Sequence, residues 1–282
     1  MTGAVGVLVL VATPIGNLGD LSPRAVTTLG ASDVIACEDT RHTRKLLSHA
    51  GIHGPAVIAV HGHNEAAQLG RVLRLLDQGR RVALVSDAGM PGISDPGSRL
   101  VAGVAAAGIR IEVVPGPSAA IAALVVSGLP TDRWCFEGFL PVRGRDRRDR
   151  LEAVRGETRT TVLYESPHHL AVTLQDLCDA CGPRRRLAIA RELTKLHEEV
   201  WRGTLEGALA RVSGTEPRGE HVLVLAGAPP SQPATDDEVE ASLRARLGAG
   251  LGARAAVAET AAELGVPKRR AYDIALRLQG KA

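Results

Sequence analysis

The chain has 282 residues, of which 45% are hydrophobic and 2% aromatic, and its formal net charge is +3. This length is enough for about two domains that each bury a core. It contains no apolar run of roughly 18 residues, so no membrane-spanning helix is expected. Four cysteines in a chain of this size do not indicate a disulfide scaffold, which favours a cytoplasmic protein. The scarcity of aromatic residues argues against a base-stacking RNA platform.

The first part of the chain alternates short apolar runs with segments of helical spacing. Ser22 and Pro23 have the pattern of a helix start, with a capping serine and proline at the first helical position. The alternation predicts a parallel or mostly parallel sheet with helices on both faces, and it brings the loops after the strands to one edge. The predicted strands are residues 7–11, 34–37, 56–60, 82–85 and 111–114.

One of these loops, residues 86–97 (SDAGMPGISDPG), is unusually rich in glycine and proline. Glycine lets the backbone approach a ligand closely, and Asp87 and Asp95 add carboxylates at the mouth. Ligands of open α/β sheets bind beyond the carboxyl ends of the strands. Loops of this kind, with few fixed charges, suit an adenosyl cofactor with a sulfonium group, because lysine and arginine repel such a cation.

The second part repeats the pattern after a small-residue helix at 119–129. Strands are predicted at 133–137, 161–165, 187–191 and 221–225, with helices at 147–154 and 169–181. A proline-rich stretch at 229–233 leads into a helical tail. We therefore expect an α/β domain over 1–117, a second over 118–228, and a linker with helical tail over 229–282. The basic Lys268–Arg270 in the tail favours either a nucleic-acid-binding helix–turn–helix or a hairpin that docks on the domain or a second subunit.

Familiar catalytic signatures are missing from the sequence. It has no GxxxxGK[ST] or GxSxG, and no GxGxxG that follows a strand. The pairs His61/His63 and Cys178/Cys181 lack partner residues at the spacing of a metal site. We expect no metal ion.

Nine motifs in order, over about residues 5–226, are similar to those of one family. The sequence resembles the ribosomal RNA small subunit methyltransferase I family, a branch of the tetrapyrrole (class III) methylases. Two positions depart from the family pattern, since Met90 replaces a usual threonine and His169 a usual arginine. The motifs are TPIGNLGDLSPRA (13–25), EDTRHTRKLL (38–47), HGHN (61–64), SDAGMPGISDPG (86–97), PGPSAAI (115–121), FEGFLP (136–141), YESPHHL (164–170), RELTKLHEE (191–199) and RGEHVLVL (218–225).

The resemblance implies two α/β domains with a cleft between them that holds S-adenosylmethionine. It also implies a homodimer, and the lack of a long apolar run predicts no membrane association. By matching positions, the implied cofactor-binding residues are Pro14, Asp87, Ala88, Gly89, Met90, Ile93, Ser118, Ala119, Tyr164, Glu165, Glu192, Leu193 and Thr194.

The implied reaction is 2′-O-methylation of a cytidine in 16S rRNA, which we expect to be presented within the 30S subunit. A ribose hydroxyl is a poor nucleophile, so a base or positioning group is useful. The candidates are Glu38, Asp39, His42, His61, His63 and Lys195. Candidate RNA-binding residues are Arg41, Arg143, Arg145, Arg147 and Arg148.

Two other interpretations remain open. One is a methyltransferase of the same fold that acts on a corrin or porphyrin precursor. The arginine clusters favour RNA over that substrate, because a polyanion requires cations along its track. The other is a nucleic-acid-binding regulator whose tail reads DNA and whose α/β body senses a metabolite.

Overall fold

The computed structural model describes residues 6–62, 64–214, 217–229 and 234–278. The chain divides into two compact units, Met1–Ala228 and Pro229–Ala282. The first unit contains two five-stranded sheets with helices, and the second is helical. This is the predicted fold class. The predicted domain boundary at residues 117 and 118 stays a prediction.

The first sheet is parallel throughout, with strand order β3-β2-β4-β1-β5. Apolar side chains pack on both of its faces, as continuous apolar strands require. Ser22 Oγ accepts a hydrogen bond from the Ala25 backbone N–H at 3.1 Å, and Pro23 begins the helix, which confirms the predicted cap. The elements are β1 (Val7–Val11), α1 (Pro23–Gly30), β2 (Val34–Cys37), α2 (Thr40–His49), β3 (Ala56–Ala59), α3 (Glu65–Asp77), β4 (Arg81–Leu84), α4 (Ser98–Ala106) and β5 (Arg110–Val114).

The second sheet is mixed, with strand order β6-β7-β10-β8-β9. Only β6 and β7 pair in parallel, and β10 lies antiparallel to both of its neighbours. The elements are α5 (Ala119–Ser127), β6 (Trp134–Phe139), α6 (Arg145–Gly156), β7 (Thr160–Glu165), α7 (Leu170–Cys181), β8 (Arg186–Arg191), β9 (Glu199–Thr204), α8 (Leu205–Val212) and β10 (His221–Leu225).

Strand β9 and helix α8 were not among the predicted elements. Strand β9 is an edge strand with the sequence EVWRGT, and its residues are partly buried or exposed. Edge strands carry charge and lack a buried apolar run, so their sequences resemble loops. Because β10 runs opposite to β7 and β8, its first residue His221 pairs with their last residues, Glu165 and Arg191.

The second unit consists of α9 (Asp236–Gly248), α10 (Ala253–Glu263) and α11 (Lys268–Leu278). Thr235 and Glu238 form a capping box at the start of α9. Small and branched apolar side chains fill the space among the three helices, including Val239, Leu243 and Ile274. Across the described parts of both units, no helix is long and apolar enough to cross a membrane.

Candidate functional site

A cavity of about 420 Å³ lies at the carboxyl edge of the first sheet, with the second sheet forming its other wall. This volume suits a small-molecule ligand. The part of the chain that forms the first sheet contributes Ile15 and the loop after β4. The part that forms the second sheet contributes the start of α5, the ends of β7 and β8, and the start of β10. The lining residues are Ile15, Ala88, Gly89, Met90, Ile93, Ser94, Asp95, Ser118, Ala119, Phe139, Tyr164, Glu165, Ser166, Pro167, Ala190, Glu192, Leu193, Lys195, Glu220, His221 and Val222.

The glycine-rich loop is joined to the loop after β1 by backbone hydrogen bonds. The Thr13 N–H donates to the Gly89 carbonyl at 2.9 Å, and the Gly89 N–H donates back to the Thr13 carbonyl at 3.1 Å. Gly89 has φ +78°, and a Cβ there would lie 3.3 Å from Cγ2 of Ile15. The positive φ favours glycine at this position, and the close approach of Ile15 leaves little room for a side chain.

Most of the predicted cofactor-binding residues line the cavity, and three do not. Pro14 is buried beside the lining residue Ile15. Asp87 accepts a hydrogen bond from the Asp39 backbone N–H at 3.2 Å, and the Thr194 N–H donates to the Glu198 carboxylate at 2.6 Å. Those that line the cavity are Ala88, Gly89, Met90, Ile93, Ser118, Ala119, Tyr164, Glu165, Glu192 and Leu193.

Strained backbone concentrates at this cavity. Ser94, Glu192 and Thr194 are the non-glycine residues with positive φ in the described part of the chain, at 61°, 51° and 67°. Ser94 and Glu192 line the cavity, and Thr194 lies between the lining residues Leu193 and Lys195. Such conformations each cost about 1–3 kcal/mol and cluster at ligand-binding and catalytic sites. The strain is a second reason, besides the cavity, to place function here.

Lys195 lies between two carboxylates at the cavity wall. Its Nζ is 2.8 Å from Glu192 Oε1 and 2.7 Å from Glu220 Oε2. Its aliphatic stem packs so closely on Gly16 that any side chain at Gly16 would collide with it. Burial alone would lower the pKa of Lys195, but the hydrogen bonds to Glu192 and Glu220 raise it above its ordinary value. A raised pKa favours the charged ammonium form, which is unsuited to act as a base.

Asp95 is a half-buried carboxyl in the cavity. Burial raises its pKa to about 6, the negative charge of Glu38 adds to the rise, and a hydrogen bond from Ser86 opposes it. The charges of Asp87 and Glu220 contribute to the same rise. A carboxyl with a pKa close to neutral is suited to exchange protons.

Of the remaining catalytic candidates, those that the structure describes do not line the cavity. Glu38 follows β2, and burial together with the charge of Asp87 raises its pKa. Asp39 caps α2 and pairs with Arg41 at 2.9 Å; hydrogen bonds from Arg41 hold its pKa at about 2, so it is a weak base. His42 is exposed on α2, and the His61 backbone N–H donates to Asn64 Oδ1 at 2.8 Å. His63 lies outside the described residues.

The model of the family described as Tetrapyrrole (Corrin/Porphyrin) Methylases matches residues 7–209. The ribosomal RNA small subunit methyltransferase I of Synechocystis sp. is 49% identical over 277 residues, which cover 98% of this chain and 99% of that protein. The one from Escherichia coli O157:H7 is 45% identical over 280 residues, covering 98% and 96%. The chain belongs to this family. The predicted resemblance is thereby confirmed.

A solved structure supports the fold of this methylase. The uroporphyrin-III-C-methyltransferase from Thermus thermophilus aligns with a TM-score of 0.55 at 24% identity, over 78% of this chain and 94% of that one. Of the two departures from the family pattern, Met90 lines the cavity and His169 is exposed just ahead of α7.

Several lining residues of the methylase were not assigned a role from the sequence. Asp95 was predicted at the mouth of the site, but the residues around it in the sequence do not indicate that it is half-buried near other carboxylates. Glu220 and His221 lie at the start of a strand, whereas the loops of parallel α/β sheets that bind ligands follow strand ends. The antiparallel direction of β10 places them beside the ends of β7 and β8.

An aromatic pair also lies at the cavity. The rings of Phe139 and Tyr164 meet edge to face with centroids 5.6 Å apart, and Phe139 is 54% exposed. A bulge in β6 between Phe136 and Gly138 precedes Phe139. One exposed ring is available for stacking, which the low aromatic content alone did not indicate.

The arginine-rich segment that begins α6 divides into two kinds of residue. Arg143, Arg145 and Arg148 are exposed. Arg147 is instead buried, with hydrogen bonds to Asp176 (2.7 Å), the Pro141 carbonyl (2.9 Å) and Thr173 (3.0 Å). The guanidinium of Arg147 therefore points into the fold, unlike those of its exposed neighbours, and its predicted contact with RNA stays a prediction.

Other arginine side chains are also held in ion pairs. Arg41 is exposed but paired with Asp39. In the second unit, Arg270 and Arg277 both bind Asp236, at 2.7 and 3.1 Å. Among the residues placed by the structure, no group of three or more His, Cys, Asp or Glu side chains could hold a metal ion.

Proposed function

We propose that this chain transfers a methyl group from S-adenosylmethionine to the 2′-oxygen of a cytidine in 16S rRNA. Its family membership and the names of its full-length relatives support RNA of the small ribosomal subunit as substrate. The observation that carries the proposal is the strained cavity lined from both sheets, since methyl transfer requires that donor and acceptor be held in line.

The residues of the cavity fit this cofactor. When bound, S-adenosylmethionine supplies a methyl group on a positively charged sulfur. Ala88, Gly89 and Ala119 present backbone and small side chains to a ligand. The charge of Lys195 is compensated by Glu192 and Glu220, so the lining does not repel a sulfonium.

The RNA-facing surface we propose includes Arg41, Arg143, Arg145 and Arg148. All four are exposed, and arginine guanidinium groups neutralise phosphates well. A shape-dependent contact of this kind favours RNA that is already folded in the 30S particle. We place the activity in the cytoplasm, where the four free cysteines stay reduced.

We also propose that two copies associate. Helix α5 is apolar around its whole circumference, yet Ile121 and Val125 are 46% and 67% exposed. An aliphatic helix face in water is typical of an interface. Light scattering of the full chain should give the mass of a dimer, and Val125→Arg should give a monomer with unchanged circular dichroism. A wild-type monomer at micromolar concentration would contradict the dimer.

The activity is tested with labelled S-adenosylmethionine and three acceptors: 30S particles, naked 16S rRNA, and a reconstituted particle with a 2′-deoxy target. We expect rapid labelling of 30S particles, slow labelling of naked RNA and none of the deoxy target, because the nucleophile is missing there. Labelling of the deoxy target would show a base atom as acceptor. Labelling of a porphyrin precursor, but not of RNA, would favour the tetrapyrrole alternative.

The RNA surface is tested by the triple change Arg143→Glu, Arg145→Glu and Arg148→Glu. The slope of log affinity against log salt is negative, and each lost phosphate contact should make it shallower by roughly 0.7–0.9, so three lost contacts should do so by roughly 2–3 units. Reversal of three exposed arginines on other helices, Arg24, Arg71 and Arg99, serves as the matched control. Equal slopes for both triple variants would contradict a specific RNA surface on α6.

A further inference from the structure

The cavity contains four carboxylates, and three of them are committed to neighbours. Glu165 accepts hydrogen bonds from the Ser166 N–H at 2.7 Å and the Thr173 hydroxyl at 2.6 Å. Glu192 and Glu220 both hold the Lys195 ammonium. None of these three is suited to receive a proton from a ligand without losing its structural partner.

Asp95 is the exception. It forms no ion pair with any residue that the structure describes, and its hydrogen bond comes from the neutral Ser86 hydroxyl. The charged groups around it are Glu38 from the end of β2, Asp87 from its own loop and Glu220 from ahead of β10. His61 lies near Glu38, and Lys195 is held by Glu220.

The backbone ahead of Asp95 is held in a strained conformation. Ser94 has φ +61°. Its Oγ lies close to Gly138, so that a Cβ added at Gly138 would be 3.1 Å from it. Gly138 sits at the β6 bulge, so the second sheet leaves room for this tight turn of the first sheet's loop. Strain of this type persists only where the surroundings over-determine it. The turn places the Asp95 side chain in the cavity wall.

We propose that Asp95 is the general base that accepts the proton of the acceptor ribose hydroxyl. This inference rests on the proposed function. The ribose oxygen bonds to the methyl carbon as the carbon–sulfur bond breaks with its electron pair on sulfur, and the hydroxyl proton passes to the Asp95 carboxylate and then to water. A base whose pKa is near the working pH is the most effective one for such a transfer.

The main test is Asp95→Asn in the full chain, with 30S particles and labelled cofactor. We expect kcat to fall by about 10²- to 10³-fold, while calorimetric affinity for the cofactor stays within threefold. Wild-type kcat should rise with pH through about 6 as Asp95 ionises, and the variant should lack that limb. Asp95→Glu should recover part of kcat. Asp132→Asn changes an exposed aspartate outside the cavity and should behave as wild type.

A measurement independent of turnover uses protein with ¹³C-labelled aspartate carboxyl groups. One carboxyl resonance should titrate near pH 6 in the wild type and be missing from Asp95→Asn. Full turnover with an unchanged pH limb in Asp95→Asn would overturn the base assignment and leave the proposed function standing. Loss of cofactor affinity in a folded Asp95→Asn protein would make Asp95 a binding residue and also overturn it. A wild-type protein that labels no RNA would overturn the proposed function itself, even if the carboxyl resonance titrates as expected.

Discussion

The two walls of the cavity are each fixed from behind by a buried charged side chain, but by different means. On the first-sheet side, Glu65 is 4% exposed, and its Oε1 accepts hydrogen bonds from the backbone N–H groups of Gly97 (3.1 Å) and Leu100 (2.9 Å). Helix α4 begins after Gly97, which has no side chain to cap it. A carboxylate from α3 therefore supplies the cap and fixes the end of the glycine-rich loop.

On the second-sheet side, the buried charged residue stabilises the cavity wall through other side chains and not through backbone groups. Arg147 is 8% exposed and donates to the Thr173 hydroxyl, which in turn donates to the lining residue Glu165. Arg147 also binds Asp176, which is partly exposed. The first wall therefore depends on a single side-chain acceptor for two backbone N–H groups, whereas water can replace part of the second network at the partly exposed Asp176.

The largest effect is expected for Glu65→Ala. Two buried N–H groups would lose a charged acceptor, which should lower the free energy of unfolding by about 4 kcal/mol. Chemical denaturation checks this value. Glu65→Gln keeps an acceptor oxygen and should lose less, and Glu152→Ala, on the exposed face of α6, should change little. A loss for Glu65→Ala no greater than that for Glu152→Ala would show that the cap is dispensable.

Arg147→Leu should destabilise the chain somewhat less, by about 3 kcal/mol, because breaking a buried ion pair is costly but Asp176 can regain water. The matched control is Arg148→Leu, since the next residue on α6 is exposed. Cofactor affinity should fall for Arg147→Leu, because Thr173, which donates to Glu165, would lose the guanidinium that orients its hydroxyl. Equal stability of the two variants would mean that the buried network adds nothing.

Neither buried charge could be recognised from the sequence. Glu65 has the pattern of an ordinary acidic residue in the first turn of a helix, and Arg147 lies in a segment where Arg143, Arg145 and Arg148 are exposed. Helical position alone does not reveal which long side chain turns inward, because that depends on tertiary partners far away in sequence. Asp176 and Thr173 are such partners for Arg147.

The first sheet was predictable for a physical reason. Each of its strands contains a short apolar run and all of them run parallel, so every strand end points to the same edge and the loops there could be assigned to one site. The mixed second sheet breaks this rule. There the cavity takes Glu220 and His221 from the start of a strand, and only pairing of the strands shows this.

An effect of intermediate size is expected for Gly89→Ala in the glycine-rich loop. At φ +78° an alanine is strained by about 1–2 kcal/mol, and its Cβ would press on Ile15 inside the cavity. We expect cofactor affinity to fall at least tenfold in calorimetry. Gly108→Ala has a similar φ of +69° with open space around its Cβ, so it carries the strain without the contact. An equal affinity loss in both variants would assign the effect to strain and remove Gly89 from the binding surface.

The smallest effect is expected for Lys195→Met, which removes a partly exposed ion pair. The hydrogen bond from Lys195 lowers the pKa of Glu192 below its ordinary value. A carboxyl with a lowered pKa contributes stability that is present above its unfolded pKa and is lost as pH falls through the folded pKa. Lys195→Met should remove this contribution, which for a partly exposed pair is below about 1 kcal/mol.

The sign of that pH dependence separates the ion pair from packing. Lys195→Met should be less stable than wild type at pH 7. The difference in the free energy of unfolding between the two proteins should disappear as the pH falls below the pKa of Glu192 in the folded protein. Lys195→Arg keeps the positive charge and should preserve most of the acid-side slope. A deficit in Lys195→Met that is the same at every pH would instead assign the loss to the contact between the Lys195 stem and Gly16, because apolar packing does not titrate. In that case apolar packing, and not the ion pair, would stabilise the second wall of the cavity at Lys195.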